Sequence, residues 1–185
     1  MIDRFNMEKD IDHILVTEEQ IRARVKEMGE QISRDYAGKV PLLIGVLKGV
    51  VPFYAAMAQA ITIPVQEDFM CISSYESTQS TGNVKFRKDI DVDIAGRDVL
   101  ILEDILDSGR TLAAVKENLL ARGPASVKIC TLLDKPEGRV VPLEADYTCF
   151  TVPDEFVVGF GLDYNEGYRN LPYVGVLKPE VYQNN

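Results

Sequence analysis

The chain has 185 residues, of which 46% are hydrophobic and 26% are charged, a balance typical of a globular domain and unlike that of a disordered chain. Its 20 basic and 29 acidic residues give a net charge of −9, which argues against a surface that neutralises many nucleic-acid phosphates. We therefore predict one domain over residues 1–185 and no nucleic-acid partner.

The chain begins with a polar segment without an apolar run, which is not the form of a secretory signal. Its one histidine, His13, lies in this segment, and we expect it at the surface and away from catalysis. Cys71, Cys130 and Cys149 are odd in number and lack a C-x-x-C pairing, which favours buried, reduced thiols. Together these features predict a cytoplasmic protein.

The first predicted element is a helix that begins after Thr17 and ends near Tyr36. Thr17 and Gln20 have the spacing of a capping box, in which each side chain satisfies a backbone N–H of the other residue. Apolar residues then recur at helical spacing, at Ile21, Val25, Met28, Ile32 and Tyr36. We interpret this helix as a packing element.

Residues 40–65 are apolar except for Lys48, Gln59 and Thr62. A membrane span would place Lys48 well inside the bilayer, at a cost of roughly 2.5–3.5 kcal/mol, and would contain two prolines. We therefore predict no membrane partner. The segment is better described as a strand at Val40–Val46, a turn at Leu47–Gly49 and a buried helix between Pro52 and Pro64.

The turn at Leu47–Gly49 is a candidate ligand site. It follows the carboxyl end of a predicted parallel strand, where ligands bind in doubly wound sheets, and Gly49 lets the backbone approach a ligand closely. The alternative is an ordinary connecting turn with Lys48 in solvent.

Two strand-like segments follow, at Glu67–Tyr75 and Val84–Ile94. The polar, glycine-containing residues between them form either a hairpin tip or a lid, at about residues 74–88, that closes over a neighbouring site. Three aspartates at alternate positions of the second segment resemble calcium ligands, but Ile94 stands where a calcium loop needs glycine. We therefore predict that this segment is a half-exposed strand.

The stretch from Val99 to Leu112, VLILEDILDSGRTL, carries the clearest functional signal. Val99–Leu102 has the uninterrupted apolar character of a strand buried on both faces of a parallel sheet. Three acids follow the end of this strand: Glu103, Asp104 and Asp107. Apolar residues at positions 112, 115, 119 and 120 then predict a helix over Leu112–Leu120.

Ser108, Gly109 and Thr111 form a turn of small residues at the start of that helix. Backbone N–H groups at a helix N-terminus, the positive end of the helix dipole and two hydroxyl groups suit a phosphate. Because carboxylates repel phosphate, the neighbouring acids must face a divalent cation, hydroxyl groups or a base that exchanges a proton. A ribose phosphate with magnesium offers all three. The alternative is a capped strand-end turn with solvated acids.

A further strand is predicted at Ser126–Leu133. Lys135 follows it, on the same sheet edge as Asp107 if the strands are parallel, where its cation could bind an oxo group of a ligand. The alternative is a solvated loop lysine. Asp134 is a neighbouring charge that could tune or divert the lysine.

The stretch Val99–Leu112 resembles the phosphoribosyl-pyrophosphate (PRPP) binding motif of the type I phosphoribosyltransferases. The resemblance implies an α/β fold with a central, mostly parallel, twisted sheet flanked by helices and a small hood from the terminal segments. Glu103 and Asp104 would hold the ribose hydroxyls close to magnesium, and Asp107 would lie beside the purine. The implied 5′-phosphate site consists of Asp107, Ser108, Gly109, Arg110 and Thr111.

Three further segments resemble this family. Leu47-Lys48-Gly49 matches its pyrophosphate-binding loop, which binds through backbone amides and often contains a non-proline cis peptide, here placed at Leu47-Lys48. Ser74-Tyr75 matches the Ser-Tyr of its flexible lid. Lys135 matches a lysine that binds the 6-oxo group in the oxopurine enzymes.

Residues 153–170 resemble the purine-binding segment of the hypoxanthine-guanine branch of the family, whereas their G-x-G pattern lacks the third glycine of a dinucleotide site. The resemblance implies that Phe156 stacks on the purine, that Val157 binds its edge through the backbone and that Arg169 binds pyrophosphate. Alternatively, Phe156 lies in the core and Arg169 forms a surface ion pair. The implied purine site is Ile105, Lys135, Phe156, Val157 and Asp163, and the implied magnesium ligands are Glu103, Asp104 and Asp163.

The activity implied by the resemblance is transfer of the 5-phosphoribosyl group of PRPP to N9 of hypoxanthine or guanine, with Mg²⁺ as cofactor. The products would be IMP or GMP and pyrophosphate, and Asp107 would handle the N7 proton of the purine. The implied assembly is a homodimer or homotetramer. Two alternatives stay open: an enzyme of the same class that prefers xanthine, and a non-catalytic, PRPP-sensing regulator that binds nucleic acid.

Overall fold

A computed structural model describes residues 7–74 and 84–183 of the chain. The helices are α1 (Glu18–Asp35), α2 (Val51–Ala60), α3 (Arg110–Leu120) and α4 (Pro179–Tyr182). The strands are β1 (Ile11–Val16), β2 (Leu42–Leu47), β3 (Gln66–Ser74), β4 (Val84–Lys88), β5 (Asp98–Leu106), β6 (Ser126–Asp134), β7 (Tyr147–Thr151), β8 (Val157–Val158) and β9 (Val174–Leu177).

The strands form two sheets. The larger sheet has six strands in the order β4-β3-β2-β5-β6-β7, of which all but β4 run parallel. The smaller sheet is antiparallel, with the order β1-β9-β8, and joins the two ends of the described chain. The predicted α/β fold, with a mostly parallel central sheet and a small hood from the terminal segments, is confirmed.

The strand β5 lies inside the larger sheet with both of its faces covered. Leu100 and Leu102 pack in the cluster that includes side chains of α1 and α2, whereas Val99 and Ile101 pack in the cluster that includes α3. All four side chains are fully buried, as the apolar run predicted. This burial on both faces holds the carboxyl end of β5 in place.

The helix α1 begins as the capping box predicted. The Gln20 N–H donates to Thr17 Oγ1 at 3.3 Å, and the Thr17 N–H donates to Gln20 Oε1 at 2.8 Å. The predicted apolar face of the helix is buried against the sheet at Ile21, Val25, Met28 and Ile32. Its role as a packing element is therefore confirmed.

The apolar segment at residues 40–65 forms β2 and α2, two elements separated by a short turn, as predicted. The helix α2 has ten residues and buries Phe53, Tyr54 and Met57. Across the two described stretches of the chain, no helix combines the length and the apolar character that a membrane crossing requires.

The predicted strand Val84–Ile94 is wrong beyond Lys88, where β4 ends. The Asp91 N–H donates to Asp68 Oδ2 at 2.7 Å, so a side-chain carboxylate accepts this backbone group in place of a neighbouring strand. Nevertheless, Ile90 and Ile94 of this segment are buried. The alternating pattern therefore indicated burial correctly but not strand pairing.

The strand β1 was expected only as a polar segment. Its Ile11 and Val16 pair with Leu177 and Val174 of β9, which lies near the opposite end of the chain. His13 lies in this strand with its side chain half exposed, in agreement with the predicted surface position. Because the pairing partner is so distant in sequence, local pattern gave no sign of this strand.

The cysteines form no disulfide. Cys71 is half-buried, and Cys130 and Cys149 are buried. Burial, together with the neighbouring Cys149 thiol, raises the pKa of Cys130 well above its ordinary value, so this thiol stays protonated and unreactive. The expectation of reduced thiols agrees with these positions.

Asp68 leads to a prediction about stability. Its carboxylate accepts the N–H groups of Phe69 and Asp91, both at 2.7 Å, and the ammonium of Lys88 at 3.3 Å. Burial raises the pKa of Asp68, but these hydrogen bonds outweigh burial and leave the pKa below its ordinary value. Replacement Asp68→Asn is expected to lower the free energy of unfolding by roughly 1–3 kcal/mol at neutral pH.

The sign of the pH dependence follows from the lowered pKa. The stabilisation is present above the unfolded pKa of about 3.9 and is lost as the pH falls through the lower folded value. Urea unfolding of both proteins at pH 7 and at about pH 3 should therefore show a difference that shrinks in acid. Asp91→Asn, which changes an exposed carboxylate beside the same Lys88, should shift stability by at most roughly 0.5 kcal/mol. A difference that does not depend on pH would contradict the prediction.

Candidate active site

Three parallel strands end at one edge of the larger sheet and bring the predicted site residues together. Lys48 follows β2, Asp107 follows β5, and Lys135 follows β6. Parallel strands that end side by side place their following loops at the same edge, which is where ligands bind in open α/β sheets. The edge formed by β2, β5 and β6 is therefore the candidate active site.

Two cavities open at this edge. The smaller has a volume of about 250 Å³ and lies over the segment from Glu103 to Leu112. The larger has a volume of about 530 Å³ and is lined by both predicted pyrophosphate-binding segments, with Leu47, Lys48, Gly49, Asp163 and Arg169 in its wall. Glu103, Asp104 and Thr111 belong to the walls of both cavities, so the two are neighbours.

The N-terminus of α3 lies at the smaller cavity. Gly109 precedes the helix with a φ of 79°, and this N-cap position has no side-chain cap. A Cβ at Gly109 would lie 2.7 Å from Val141 Cγ2, so both the left-handed backbone and the packing require glycine. An uncapped helix N-terminus suits a phosphate, and phosphate binding here stays a prediction. Arg110 is exposed and does not line this cavity.

Glu103 and Asp104 lie within β5, not beyond its end, because β6 pairs with β5 as far as Leu106. Glu103 is buried, and its Oε2 has no hydrogen-bond partner within the described residues. Burial and the charge of Asp104 raise the pKa of Glu103, and burial also raises the pKa of Asp104. Two adjoining carboxylates, one buried and one half-buried, with an unpartnered oxygen are a site that a cation would stabilise.

The donor set fits Mg²⁺, which binds oxygen and commonly uses one or two carboxylates together with substrate phosphates. Residues 7–74 and 84–183 contain no group of three or more side chains placed to hold a metal by themselves. Asp163, the third predicted ligand, pairs with Arg169 at 2.9 Å and accepts the Glu166 N–H at 2.9 Å. Glu103 and Asp104 are therefore the protein ligands that the geometry favours.

The turn at Leu47–Gly49 has the form that the resemblance predicted. The Leu47-Lys48 peptide bond is cis. A Cβ at Gly49 would lie 1.7 Å from Asp104 Oδ2, so only glycine fits between this turn and the acids of β5. The side chain of Lys48 is exposed but paired, since its Nζ lies 2.9 Å from Glu166 Oε1.

Glu166 is a site residue that the sequence patterns missed. Its carboxylate contacts Lys48 Nζ at 2.9 Å and Arg169 Nη2 at 3.1 Å, and thus links the predicted pyrophosphate loop with Arg169. The hydrogen bonds from Lys48 and then Arg169 lower the pKa of Glu166. A contact across 118 residues leaves no local signal. Arg87 of β4 also lines the larger cavity, and the sequence patterns did not single it out.

Lys135 is a buried cation and not a solvated loop lysine, so that alternative is wrong. It is 6% exposed, and its Nζ lies 3.4 Å from Asp107 Oδ2 and 2.8 Å from Asp154 Oδ1. Asp134 does not divert Lys135, because its carboxylate pairs with Arg139. The structure therefore places a fixed ammonium group beside the candidate catalytic carboxylate.

The C-terminal segment supplies one aromatic face near this edge. Phe156 is 39% exposed, so the alternative that places it in the core is wrong. Its ring stacks on Tyr182 with centroids 4.7 Å apart and meets Tyr164 edge-on at 5.7 Å. Val157 is buried in β8, and neither Phe156 nor Val157 is part of the described walls of the two cavities.

Ile105, the other apolar residue predicted to contact the purine, lies in β5 opposite Leu133 and lines the smaller cavity. The alternative for Arg169 was a surface ion pair. Arg169 does form ion pairs, but in the wall of the larger cavity. The lid prediction falls mainly on residues 75–83, including Tyr75, which lie outside the described residues. Ser74 is the last residue of β3, where it pairs with Val84.

Comparison with known proteins agrees with this geometry. The model of the phosphoribosyl transferase domain family matches residues 14–165. Hypoxanthine-guanine phosphoribosyltransferase of Streptococcus thermophilus is 57% identical over 177 residues, which cover 95% of this chain and 98% of the relative. The enzyme of the same name from Streptococcus pneumoniae is 54% identical over 179 residues, or 96% of this chain and 99% of the relative.

Solved structures show the same similarity. A hypoxanthine phosphoribosyltransferase from Staphylococcus aureus has a TM-score of 0.92 at 48% identity, covering 95% of this chain and 96% of that one. The hypoxanthine phosphoribosyltransferase of Trypanosoma cruzi, in complex with the product IMP, has a TM-score of 0.90 at 43% identity, covering 94% of this chain and 98% of that one. The similarity thus extends over nearly the whole length of each chain.

Proposed function

Because the chain belongs to the phosphoribosyl transferase family, we propose that it is a hypoxanthine-guanine phosphoribosyltransferase of purine salvage. It transfers the 5-phosphoribosyl group of PRPP to N9 of hypoxanthine or guanine and yields IMP or GMP and pyrophosphate. The observation that carries the proposal is the 3.4 Å contact between Lys135 Nζ and Asp107 Oδ2. It sets a cation suited to an oxopurine directly beside the phosphate loop.

The base is bound on the β6 side of the edge. Lys135 donates a hydrogen bond from Nζ to the 6-oxo group, and Asp107 accepts the N7 proton through its carboxylate. Ile105 and the ring of Phe156 contact the faces of the purine, and Val157 binds its edge through the backbone. A base stacked on one aromatic ring gains roughly 1–3 kcal/mol in nucleic-acid sites, which sets the scale for Phe156.

PRPP is bound over the ends of β5 and β2. The loop of Asp107, Ser108, Gly109 and Thr111 holds the 5′-phosphate, with Arg110 as a nearby exposed cation, and Glu103 and Asp104 accept hydrogen bonds from the ribose hydroxyls. The pyrophosphate is held by Leu47, Lys48 and Gly49 together with Arg169. A lid at Ser74 and Tyr75 that excludes water from the cationic sugar belongs to the same proposal.

We assign Mg²⁺ to Glu103 and Asp104, with Asp163 as the third predicted ligand. When bound, the ion supplies positive charge against which the pyrophosphate leaves. The unpartnered Oε2 of Glu103 supports this assignment. The side chains of this chain orient the two substrates, so that C1 of the sugar and N9 of the purine meet in one enclosed site.

The test is an assay of pyrophosphate release with PRPP and each of four bases: hypoxanthine, guanine, xanthine and adenine. Turnover with hypoxanthine or guanine and none with adenine is the expected result. Turnover confined to xanthine would reveal the xanthine-preferring alternative. An absence of turnover with every base, joined with a gel shift of DNA or RNA, would overturn the proposal in favour of a PRPP-sensing regulator.

Glu166 leads to a prediction about pyrophosphate. Its carboxylate pairs with the side chains of Lys48 and Arg169, so it places a negative charge in the proposed pyrophosphate site and competes with pyrophosphate for Arg169. Replacement Glu166→Gln is expected to strengthen product inhibition by pyrophosphate roughly twofold to fivefold, the range of an exposed ion pair. Inhibition constants against PRPP are the measurement. Glu18→Gln removes the same charge from a pair with Arg22 on α1 and should leave inhibition unchanged. Unchanged inhibition in Glu166→Gln would contradict the prediction.

Three broader features belong to the same proposal. We expect one domain over residues 1–185 and a homodimer or homotetramer, which light scattering of the purified protein would test. We also expect a cytoplasmic location, for which the three free cysteines are the supporting observation.

A further inference from the structure

Arg139 lies beside the loop that follows β5, and its guanidinium donates hydrogen bonds to the end of β5 and to this loop. Its Nε donates to Asp107 O at 2.8 Å, and its Nη2 donates to Leu106 O at 3.1 Å. Nη2 also donates to Asp134 Oδ1, and Nη1 donates to Leu143 O. The side chain is only 14% exposed. One planar group thus joins the end of β5, the end of β6 and the segment after it.

Residues 135–143, which we call the strap, pack along the same loop through their backbone. The Val140 N–H donates to Ser108 O at 3.1 Å, and the Lys135 N–H donates to Leu106 O at 3.0 Å. A Cβ at Gly138 would lie 2.2 Å from Asp107 Oδ1. The strap therefore contacts every residue from Leu106 to Gly109, and Arg139 is the side chain that ties it to the carbonyls of Leu106 and Asp107.

We propose that Arg139 is a positioning residue for the transfer reaction: it holds the Leu106–Asp107 backbone so that the Asp107 carboxylate faces the base and residues 108–111 face the 5′-phosphate. This inference rests on the proposed function, in which Asp107 and that loop contact the substrates. Arg139 itself donates to main-chain carbonyls and acts through Asp107.

The chemistry of the guanidinium explains why the position carries arginine. Its fork offers five donors in fixed directions, whereas a lysine ammonium is a single point of charge. A lysine could neutralise Asp134, but it could not also reach the carbonyls of Leu106, Asp107 and Leu143. If Arg139 served only to neutralise the charge of Asp134, the directions of its N–H donors would not matter.

The chain offers a closely matched control in Arg24. Its Nε and Nη2 donate to two successive carbonyls, Cys149 O at 3.1 Å and Thr148 O at 3.0 Å, and its Nη1 pairs with Glu27 at 3.2 Å. Arg139 has the same pattern on Asp107 and Leu106. However, Arg24 ties α1 to β7, a strand that supplies no residue to the proposed site.

The experiment compares Arg139→Gln, Arg139→Lys and Arg24→Gln by melting temperature, steady-state kinetics and calorimetric binding of IMP. Both glutamine variants should lose similar thermal stability. Only the Arg139 variants should lower kcat, by roughly 10²-fold, since a displacement of about 1 Å at a reacting group has an effect of that size. They should also weaken IMP binding about tenfold, while the KM for hypoxanthine changes less than the KM for PRPP.

A double variant, Asp134→Asn with Arg139→Gln, separates positioning from charge balance. It removes the partly buried carboxylate together with its partner, so it should stay as impaired as Arg139→Gln. Recovery of kcat in the double variant, or in Arg139→Lys, would overturn the inference, as would an equal loss of kcat in Arg24→Gln. Turnover by the unmodified protein tests the proposed function separately, and IMP binding decides the role of Arg139 whether or not turnover is seen.

Discussion

Replacement Asp107→Asn is expected to lower kcat by roughly 10²–10⁴ while PRPP binding stays largely intact. Asparagine has nearly the same size and shape, so the loop should keep its conformation. Its amide, however, cannot accept the N7 proton of the purine. The effect should therefore fall on the chemical step and not on the assembly of the site.

The measurement is kcat with hypoxanthine, together with the Kd of PRPP from calorimetry. Asp91→Asn makes the same change at an exposed carboxylate outside the site and should leave both values at the level of the unmodified protein. A near-normal kcat in Asp107→Asn would remove Asp107 from proton transfer. A large loss of PRPP affinity would instead assign it a role in ground-state binding.

Replacement Lys135→Ala should weaken oxopurine binding by roughly tenfold to a hundredfold, which is the range for a lost hydrogen bond from a charged group. Lys135 is buried between the carboxylates of Asp107 and Asp154, which hold its ammonium at the strand end. Without it, the 6-oxo group of the base faces two carboxylates and no donor. The proposed site for PRPP lies on the other side of Asp107, so PRPP binding should be affected less.

The KM values for hypoxanthine and PRPP separate these effects. Lys128→Ala provides the control, because Lys128 belongs to the same strand, β6, but lies over the rings of Tyr36 and Tyr147. It should change neither KM. An equal rise of both KM values in Lys135→Ala would show that the lysine does not select the base.

Local pattern was sufficient for the central part of the site. The apolar run Val99–Leu102 and the helical stripe after Ser108 are both predicted from adjacent residues and lie in β5 and α3, although β5 continues through Glu103 and Asp104 to Leu106. The same holds for the capping box of Thr17 and Gln20. These features need no distant partner, because backbone hydrogen bonding and burial of one face already specify them.

The errors occur where a distant residue decides a local conformation. Asp68 accepts the Asp91 N–H and so ends the strand that alternation had extended to Ile94. The strand β1 exists because β9 pairs with it from the other end of the chain. In both cases the decisive hydrogen-bond partner lies far away in sequence, and the neighbouring residues do not indicate it.

The sequence by itself determined the α/β class, the turn of small residues at the start of α3 and the acids beside it, since these depend on residue types in consecutive positions. Only the tertiary structure decided which charges meet: Lys135 with Asp107, Lys48 with Glu166, and Arg139 with the carbonyls of Leu106 and Asp107. The reason is physical. Strand pairing sets the distance between loops that are separated by tens of residues, and an ion pair or hydrogen bond forms only when that distance is a few ångströms.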